Sequence, residues 1–298
     1  MNITVQQRMD FKKDFDFMVG VDSDGCAFDS MDFKHKECFA PATINVWDLQ
    51  PAAKYARETW EFVNLYSQTR GANRFLALVR FFDLLEQRPQ AAERGFIKPD
   101  LAPLRSWIKK EKSPGNPSLT KEIEINPHPI LIKTLAWSDE INANINKMAR
   151  NLAPFPFVRE SLAKASGKSD ILVVSATPSE ALMREWKEHD IDRYVKIIAG
   201  QEMGTKKTHL ELAKRDRYSD SRMLMVGDAI GDLEAAAANN ILFFPIMPGQ
   251  EENSWKLFHD EVFDLFIAGK YDGDYQTKLH IKFKELLPAE PSWEIKTV

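Results

Sequence analysis

Residues 16–25 read DFMVGVDSDG, a mostly apolar run closed abruptly by two carboxylates and a glycine. A short apolar run bounded by turn residues is the pattern of a parallel strand buried on both faces. Four further runs share it, at residues 171–174 (ILVV), 195–199 (VKIIA), 222–226 (RMLMV) and 241–245 (ILFFP). From residue 171 onward they alternate with helical patterns over 179–189, 207–214 and 232–239. Strand–helix alternation of this kind predicts an α/β fold with a doubly wound, Rossmann-like parallel sheet. Ligands of such sheets bind at the carboxyl ends of the strands, where Asp22 and Asp24 must then lie.

The first strand is separated from the second by a long interval that is helical in pattern. Apolar residues recur at three- and four-residue spacing over 52–66, 73–85, 101–109 and 129–148, with Gly- and Pro-bearing breaks at 68–72 and 111–118. A helical insertion between neighbouring strands predicts a second, all-helical domain. Its expected span is residues 33–165, with connections near 30–38 and 163–169, leaving 1–32 and 166–298 as the core. The tail, residues 248–298, carries two amphipathic stretches at 254–267 and 274–287, expected to pack back on the sheet, for instance over one edge.

The 298 residues are 44% hydrophobic and 28% charged, which is ordinary for a globular chain and unlike a disordered or fibrous one. The length suffices for two domains with real cores. No apolar run approaches a membrane span, and the first residues, MNITVQQRMDFKKDF, lack the apolar stretch of a secretory signal. Two cysteines, Cys26 and Cys38, make neither a disulfide framework nor a metal knuckle, so a reduced, cytoplasmic setting is expected. Forty basic residues against 44 acidic ones give a net charge of −4 without a basic stripe. Nucleic acid and membrane are therefore not expected partners, and an anionic ligand would need local cations. Oligomeric state is not encoded in anything recognisable.

The chemistry-bearing residues follow the strands. Asp22 and Asp24 follow the first, and Asp228 and Asp232 follow the fourth in the run GDAIGD. Singly, an aspartate after a strand is a turn residue or a helix N-cap, and Asp228 could cap the helix beyond it. Together, after two adjacent strands, the four would crowd like charges that raise one another's pKa unless a divalent ion binds among them. Hard oxygen donors of this kind suit Mg²⁺, which works with phosphates. Ser175 ends the strand ILVV, and Ala176 and Thr177 lead into a helix, where a hydroxyl and N-terminal amides suit an anion; taken alone, Ser175 reads as an ordinary N-cap serine. Lys206, in GTKK, opens a helix and so opposes its dipole, a poor placement for stability alone; Lys207 beside it is an alternative for the same part.

Taken in order, VDSDGCAFDS, VVSATP, GTKK and VGDAIGD resemble the four signature motifs of the haloacid dehalogenase superfamily. The resemblance covers residues near 16–30 and 165–245, and the helical insertion is similar to that superfamily's mobile cap. It implies a phosphatase-type enzyme acting on a small phosphorylated substrate through an aspartyl phosphate. By the same resemblance Asp22 is the nucleophile and Asp24 the general acid and then base. Ser175 and Lys206 hold the phosphoryl group, with Gly25, Ala176 and Thr177 beside it. Asp22, the Asp24 main-chain carbonyl, Asp228 and Asp232 hold Mg²⁺ or its waters. Cys26 stands where the superfamily usually has Thr or Val, a change expected to leave the packing intact. The acid Asp24 is absent from the superfamily's dehalogenases, so dehalogenation is not expected. A sugar-phosphate mutase shares all four motifs and is the alternative; a non-catalytic phospholigand-binding protein would have no use for the six polar residues. In the helical insertion, Arg70 and Arg74 flank a glycine-bearing break and are the expected contacts for the rest of an anionic substrate. Lys109 and Lys110 read as exposed surface.

Overall fold

The computed structural model describes residues 9–293. Residues 1–8, part of the stretch in which no secretory signal is read, and residues 294–298 of the tail lie outside the described residues. Five strands form one parallel sheet: β1 (Met18–Val21), β2 (Asp170–Val174), β3 (Ile197–Ala199), β4 (Met223–Gly227) and β5 (Leu242–Pro245). Their order is β3-β2-β1-β4-β5, so β1 is central and the winding reverses at it. Each strand falls within two residues of its apolar run in the sequence.

Burial on both faces is why the runs read as continuous rather than alternating. Val19, Val21, Ile171, Val173, Leu224 and Val226 face one apolar cluster. Met18, Leu172, Val174, Met223 and Met225 face another on the opposite side. The tail closes both faces. Trp255, Phe258, Val262, Phe263 and Phe266, from the segment beginning with the helix Glu251–Leu257, enter the first cluster, and Phe283 of the helix Asp274–Leu286 enters the second. The same tail satisfies the outer edge of β5. Gln276 accepts from the Phe243 N–H (2.8 Å), and the Tyr271 hydroxyl donates to the Phe243 carbonyl (2.8 Å). An edge strand whose backbone groups are met by side chains offers no template for pairing with another chain.

The chain divides into two compact units: Met1–Met31 with Asn151–Leu287, and Asp32–Arg150 with Pro288–Val298. Two boundaries differ from the sequence expectation. Residues 151–165 belong with the sheet, because Val158, Leu162 and Ala165 of the helix Val158–Ser166 sit in the sheet's first apolar cluster. Residues beyond 287 belong with the helical unit, where Trp293 packs edge-on against Phe62 and lies over the Arg88 guanidinium.

The helical unit holds the four helices expected of it, including Ala53–Leu65, Arg74–Glu86 and Pro129–Met148, around Trp60, Trp107, Trp137, Phe75 and Phe81. It also holds helices that the sequence reading passed over, the short Pro89–Ala92 among them. Asn116–Ile125 begins inside the apparent break EKSPGNPS, with Pro117 in its first turn, where a missing N–H costs nothing. The stretch expected to be a connection is itself helical, Met31–Phe33 running through Lys34–Phe39 into Ala40–Val46. The middle segment is a π-helix, closed by the Ala40 N–H bonding to the His35 carbonyl, and that wide turn carries the chain past Pro41. Among the described residues, no helix is long and apolar enough to cross a membrane.

Candidate active site

Asp22 is placed by the ladder itself. Val21 sits opposite Val173 on one side and Val226 on the other, and the Asp22 N–H continues the pairing to the Val226 carbonyl (3.0 Å). Its carboxylate therefore emerges at the carboxyl edge of the central strand, where the strand order reverses and open α/β sheets bind ligands. One oxygen, Oδ1, accepts from the Ser23 amide (2.7 Å); the other, Oδ2, accepts from Lys206 Nζ (2.7 Å). The loop behind it is rigidly held. Gly25 takes φ +74°, a left-handed conformation that other residues adopt only at a cost, and its N–H donates to the Phe28 carbonyl (2.9 Å). Trp186 donates to Ser23 Oγ (3.0 Å), and Trp255 donates to the Cys26 carbonyl (2.7 Å). Cys26 is buried with its thiol on the Val226 carbonyl, so the cysteine fits this loop without loss of packing.

Lys206 is the lysine that reaches the site. It opens the helix Lys206–Lys214, capped by Thr205, whose hydroxyl accepts from the Thr208 N–H (3.2 Å). Its ammonium lies 2.7 Å from Asp22 Oδ2 and 2.6 Å from Asp232 Oδ1. The neighbouring Lys207 contributes a carbonyl to Asn239 instead. Burial acts to lower the Lys206 pKa, but attraction to Asp22 and Asp232 outweighs it and holds the ammonium charged. The dipole cost noted in the sequence is thus offset by two carboxylates within hydrogen-bonding distance.

Asp232, not Asp228, does the capping beyond β4. Its Oδ2 accepts from the Ala229 N–H (3.1 Å) at the start of the helix Ile230–Ala237, while Oδ1 faces Lys206. This fold-back is possible because residue 227 is glycine: a Cβ there would stand 2.5 Å from Asp232 Cβ, Cγ and Oδ2. Asp22, Asp228 and Asp232 are all buried, and one carboxylate oxygen from each lies within 4.8 Å of the others. Burial raises the pKa of both Asp22 and Asp232, with Lys206 pulling each down; Asp232 adds to the rise of the first and Asp228 to that of the second. Three carboxylates against one ammonium leave an excess of two negative charges in a buried pocket. An all-oxygen set with that excess fits a hard divalent cation.

Asp24 is not part of that carboxylate group. Thr177 Oγ1 donates to its Oδ2 (2.8 Å), and the Ser30 hydroxyl donates to its Oδ1. Any part of Asp24 in holding a metal rests on its main-chain carbonyl alone. Ser175 continues the β2–β3 ladder through its N–H to the Ala199 carbonyl (3.0 Å), and its hydroxyl accepts from the Thr177 N–H (3.2 Å). Of the groups expected to line the substrate, the Gly25 amide is therefore already bonded within its loop. The N–H, hydroxyl and carbonyl of Thr177 are also all engaged within the protein, while Ala176 is exposed. Sequence reasoning missed Ser30 and the Ser23 amide. It also missed the glycines at 200 and 227, for which the signal was a glycine at or just beyond a strand end.

Arg70 and Arg74 are not displayed as a cationic loop. Arg70 is 4% exposed and donates to the Leu65 carbonyl (3.0 Å). Arg74 donates to Ser138 Oγ (3.0 Å) and Asn142 Oδ1 (2.8 Å) and lies over the Phe39 ring; burial brings its pKa down to about 10, Asp139 opposing. Both guanidiniums are used in packing the helical unit, which corrects their reading as substrate contacts. Lys110 is on the surface, 3.4 Å from Glu122, and with Lys109 it ends the helix Ala102–Lys110, where cations suit the dipole.

The haloacid dehalogenase-like hydrolase family matches residues 114–246, a span that contains β2 to β5 with Ser175, Lys206, Asp228 and Asp232 and leaves out β1. No curated protein sequence matches the chain. Solved structures that resemble it include a haloacid dehalogenase-like family hydrolase from Streptococcus pneumoniae (13% identity, TM-score 0.40, covering 82% of this chain and 91% of that one). CbbY from Rhodobacter sphaeroides, in complex with phosphate, is similar at 16% identity and a TM-score of 0.42 (76% and 85%). A subfamily IA hydrolase from Geobacter sulfurreducens is similar at 15% identity and a TM-score of 0.37 (77% and 86%).

Proposed function

We propose that the chain is a haloacid dehalogenase-like hydrolase, the family matched over residues 114–246, and that it hydrolyses a small phosphate monoester through a phosphorylated Asp22. The observation that carries this reading is the position of the Asp22 carboxylate, buried at the switch point of the sheet with Lys206 on one oxygen and the Ser23 amide on the other. In this reading residues 1–31 and 151–287 are the catalytic unit, and the helical unit is a cap.

The chain's own groups divide the reaction into two displacements. An Asp22 oxygen attacks phosphorus while the bond to the leaving oxygen breaks. That oxygen keeps the electron pair and takes a proton from Asp24. Asp24, now a carboxylate, next removes a proton from water as the water oxygen attacks phosphorus. The Asp22–phosphorus bond breaks, inorganic phosphate leaves, and both aspartates return to their starting state. Ser175 donates its hydroxyl to a phosphoryl oxygen, and Lys206 compensates charge on the phosphoryl group and Asp22, since phosphoryl transfer depends chiefly on positioning and charge compensation. Asp22, Asp228 and Asp232 would hold Mg²⁺, which supplies further neutralisation of the phosphoryl charge when bound.

The test is phosphate release from a panel of phosphorylated metabolites, with Mg²⁺ and with chelator, by the native protein and by Asp22→Asn. Magnesium-dependent release that vanishes in a folded Asp22→Asn protein is expected. Undiminished release by that variant would refute the assignment of the nucleophile.

A further inference from the structure

We propose that Thr177 is a positioning residue for Asp24, aiming the general acid at the leaving oxygen rather than contacting the substrate. The inference rests on the reading of Asp24 as that acid. Its own ground is the geometry of one side chain. The Thr177 hydroxyl donates to Asp24 Oδ2 at 2.8 Å, although the two residues are 153 positions apart. The Thr177 N–H is held by Ser175 Oγ (3.2 Å), and its carbonyl accepts from the Gln201 N–H (3.0 Å). Fixed on both sides of its Cα, the residue has little freedom left except rotation of the side chain that meets Asp24.

The surroundings are built to keep that loop in place. Gly200, just beyond β3, packs directly against it: a Cβ on Gly200 would stand 2.5 Å from Ser179 Oγ, 2.6 Å from Ser179 N and 2.7 Å from the Thr177 carbonyl. Glu202 accepts from both the amide and the hydroxyl of Ser179 (3.0 and 2.8 Å). The exit of β3 thus braces the exit of β2, and Thr177 transmits that bracing to Asp24 on the exit of β1. Ser30 holds the other Asp24 oxygen, so the carboxyl group is clamped from both sides. A carboxyl with two bonded oxygens has a fixed plane, and the direction in which it delivers a proton is fixed with it. Thr177 also joins the acid to Ser175, which links the group that protonates the leaving oxygen to the one that faces the phosphoryl group.

A general acid matters when the leaving oxygen is a poor leaving group and matters little when it is a good one, which separates positioning from packing and from substrate binding. The experiment measures, in the first turnover of the Mg²⁺-loaded protein, the rate of leaving-group release and its half-saturating substrate concentration on an alkyl phosphate and on p-nitrophenyl phosphate, whose phenolate leaves without protonation; this step precedes the water attack that all esters share. Thr177→Val, which keeps the shape and loses the hydroxyl, should lower the first-turnover rate of leaving-group release from the alkyl phosphate by about ten- to a hundred-fold with the half-saturating concentration unchanged. The loss on the aryl phosphate should be at least several-fold smaller, and Thr177→Ser should recover most of the activity. Equal losses of the release rate on both substrates would make Thr177 a packing residue, and a rise in the half-saturating concentration alone would make it a substrate contact; either overturns the proposal. Should Thr177→Val fold poorly, Ser30→Ala tests the same clamp from the other oxygen with the same expected contrast. Asp24→Asn is the reference. If it shows the alkyl-selective loss and Thr177→Val does not, positioning by Thr177 is wrong; if it loses equally on both substrates, Asp24 is not the acid.

Discussion

Lys206 is the residue on which the electrostatics of the site turn. Three buried carboxylates and one ammonium share a volume into which water scarcely enters, and the ammonium bonds two of the three at 2.7 and 2.6 Å. Removing one partner of a buried ion pair leaves an uncompensated charge, which costs roughly 3–5 kcal/mol. Lys206→Met should therefore lower the unfolding free energy by about that amount in chelator, as read from urea denaturation, in addition to abolishing turnover. A second residue gives a pH signature. His209 lies one turn further along the same helix, fully buried, and burial with the nearby Lys206 charge brings its pKa down to about 4 from 6.5. The unfolded chain then binds more protons than the folded one between those values. Stability is complete above about pH 6.5 and falls as the pH drops toward 4, by order of 3 kcal/mol. The urea midpoint of the native protein should drop more steeply between pH 7 and 5 than that of His209→Leu, a comparison in which the carboxylates cancel. Parallel slopes would remove His209 from the explanation. At this scale the sequence revealed the acidic residues and the lysine, because each follows a recognisable strand or opens a helix. It could not reveal that Thr177 holds Asp24, since that contact joins loops brought together only by the sheet, nor that Ser30, six residues beyond Asp24, turns back onto it.

At the scale of elements, the site is a set of strand ends in register. β1, β2 and β4 were legible because burial on both faces removes polar residues from the run, and each ends in a residue that belongs to the site or adjoins one. Helices were legible where apolar spacing was clean. They were not legible at 31–46, where Pro41 sits within a helix that widens to a π turn, or at 116–125, where the proline of an apparent break is the first turn of a helix. The spacing between β4 and its following helix is set by Gly227, against which Asp232 folds back with no room for a methyl group. Gly227→Ala should overpack this junction, costing about 1–3 kcal/mol, and should push Asp232 off both the Ala229 amide and Lys206. The measurable consequence is a greater loss of Mg²⁺ affinity, by titration calorimetry, than Gly231→Ala produces, because a Cβ on Gly231 meets nothing within 4 Å. Equal affinities in the two variants would show that the close approach at 227 does not set the site.

Across the whole molecule, the chain passes between its two units three times, after residues 31, 150 and 287. The third passage was hidden in the sequence because nothing in the pattern after residue 287 separates it from the two amphipathic stretches before it. Its last described residues join the helical unit through Trp293, an ion pair between Arg80 and Glu290 (2.9 Å), and bonds from the Gln68 N–H to the Pro288 carbonyl and from Arg80 to the Ala289 carbonyl (3.2 Å each). The exposed pair contributes little, whereas the indole buries apolar surface against Phe62 and Arg88, so a chain ending at Leu287 should lose about 1–3 kcal/mol from the helical unit. Amide hydrogen exchange should then accelerate in the helix Ala53–Leu65 and leave β1 and β4 protected; unchanged exchange in that helix would show that the segment adds nothing to it. The modest net charge of −4 also acquires its meaning at this scale, since attraction for the proposed phosphate ester would come from Lys206 and a bound cation rather than from the general field.

The most direct measurement is mass spectrometry of peptides from the Mg²⁺-loaded protein, quenched in acid while it turns over the best phosphate ester of the panel. One phosphoryl group on the peptide that contains Asp22, removable by hydroxylamine and missing from Asp22→Asn, is the expected result. Steady phosphate release with no phosphoryl group on that peptide, or with the group attached elsewhere, would contradict covalent transfer through Asp22.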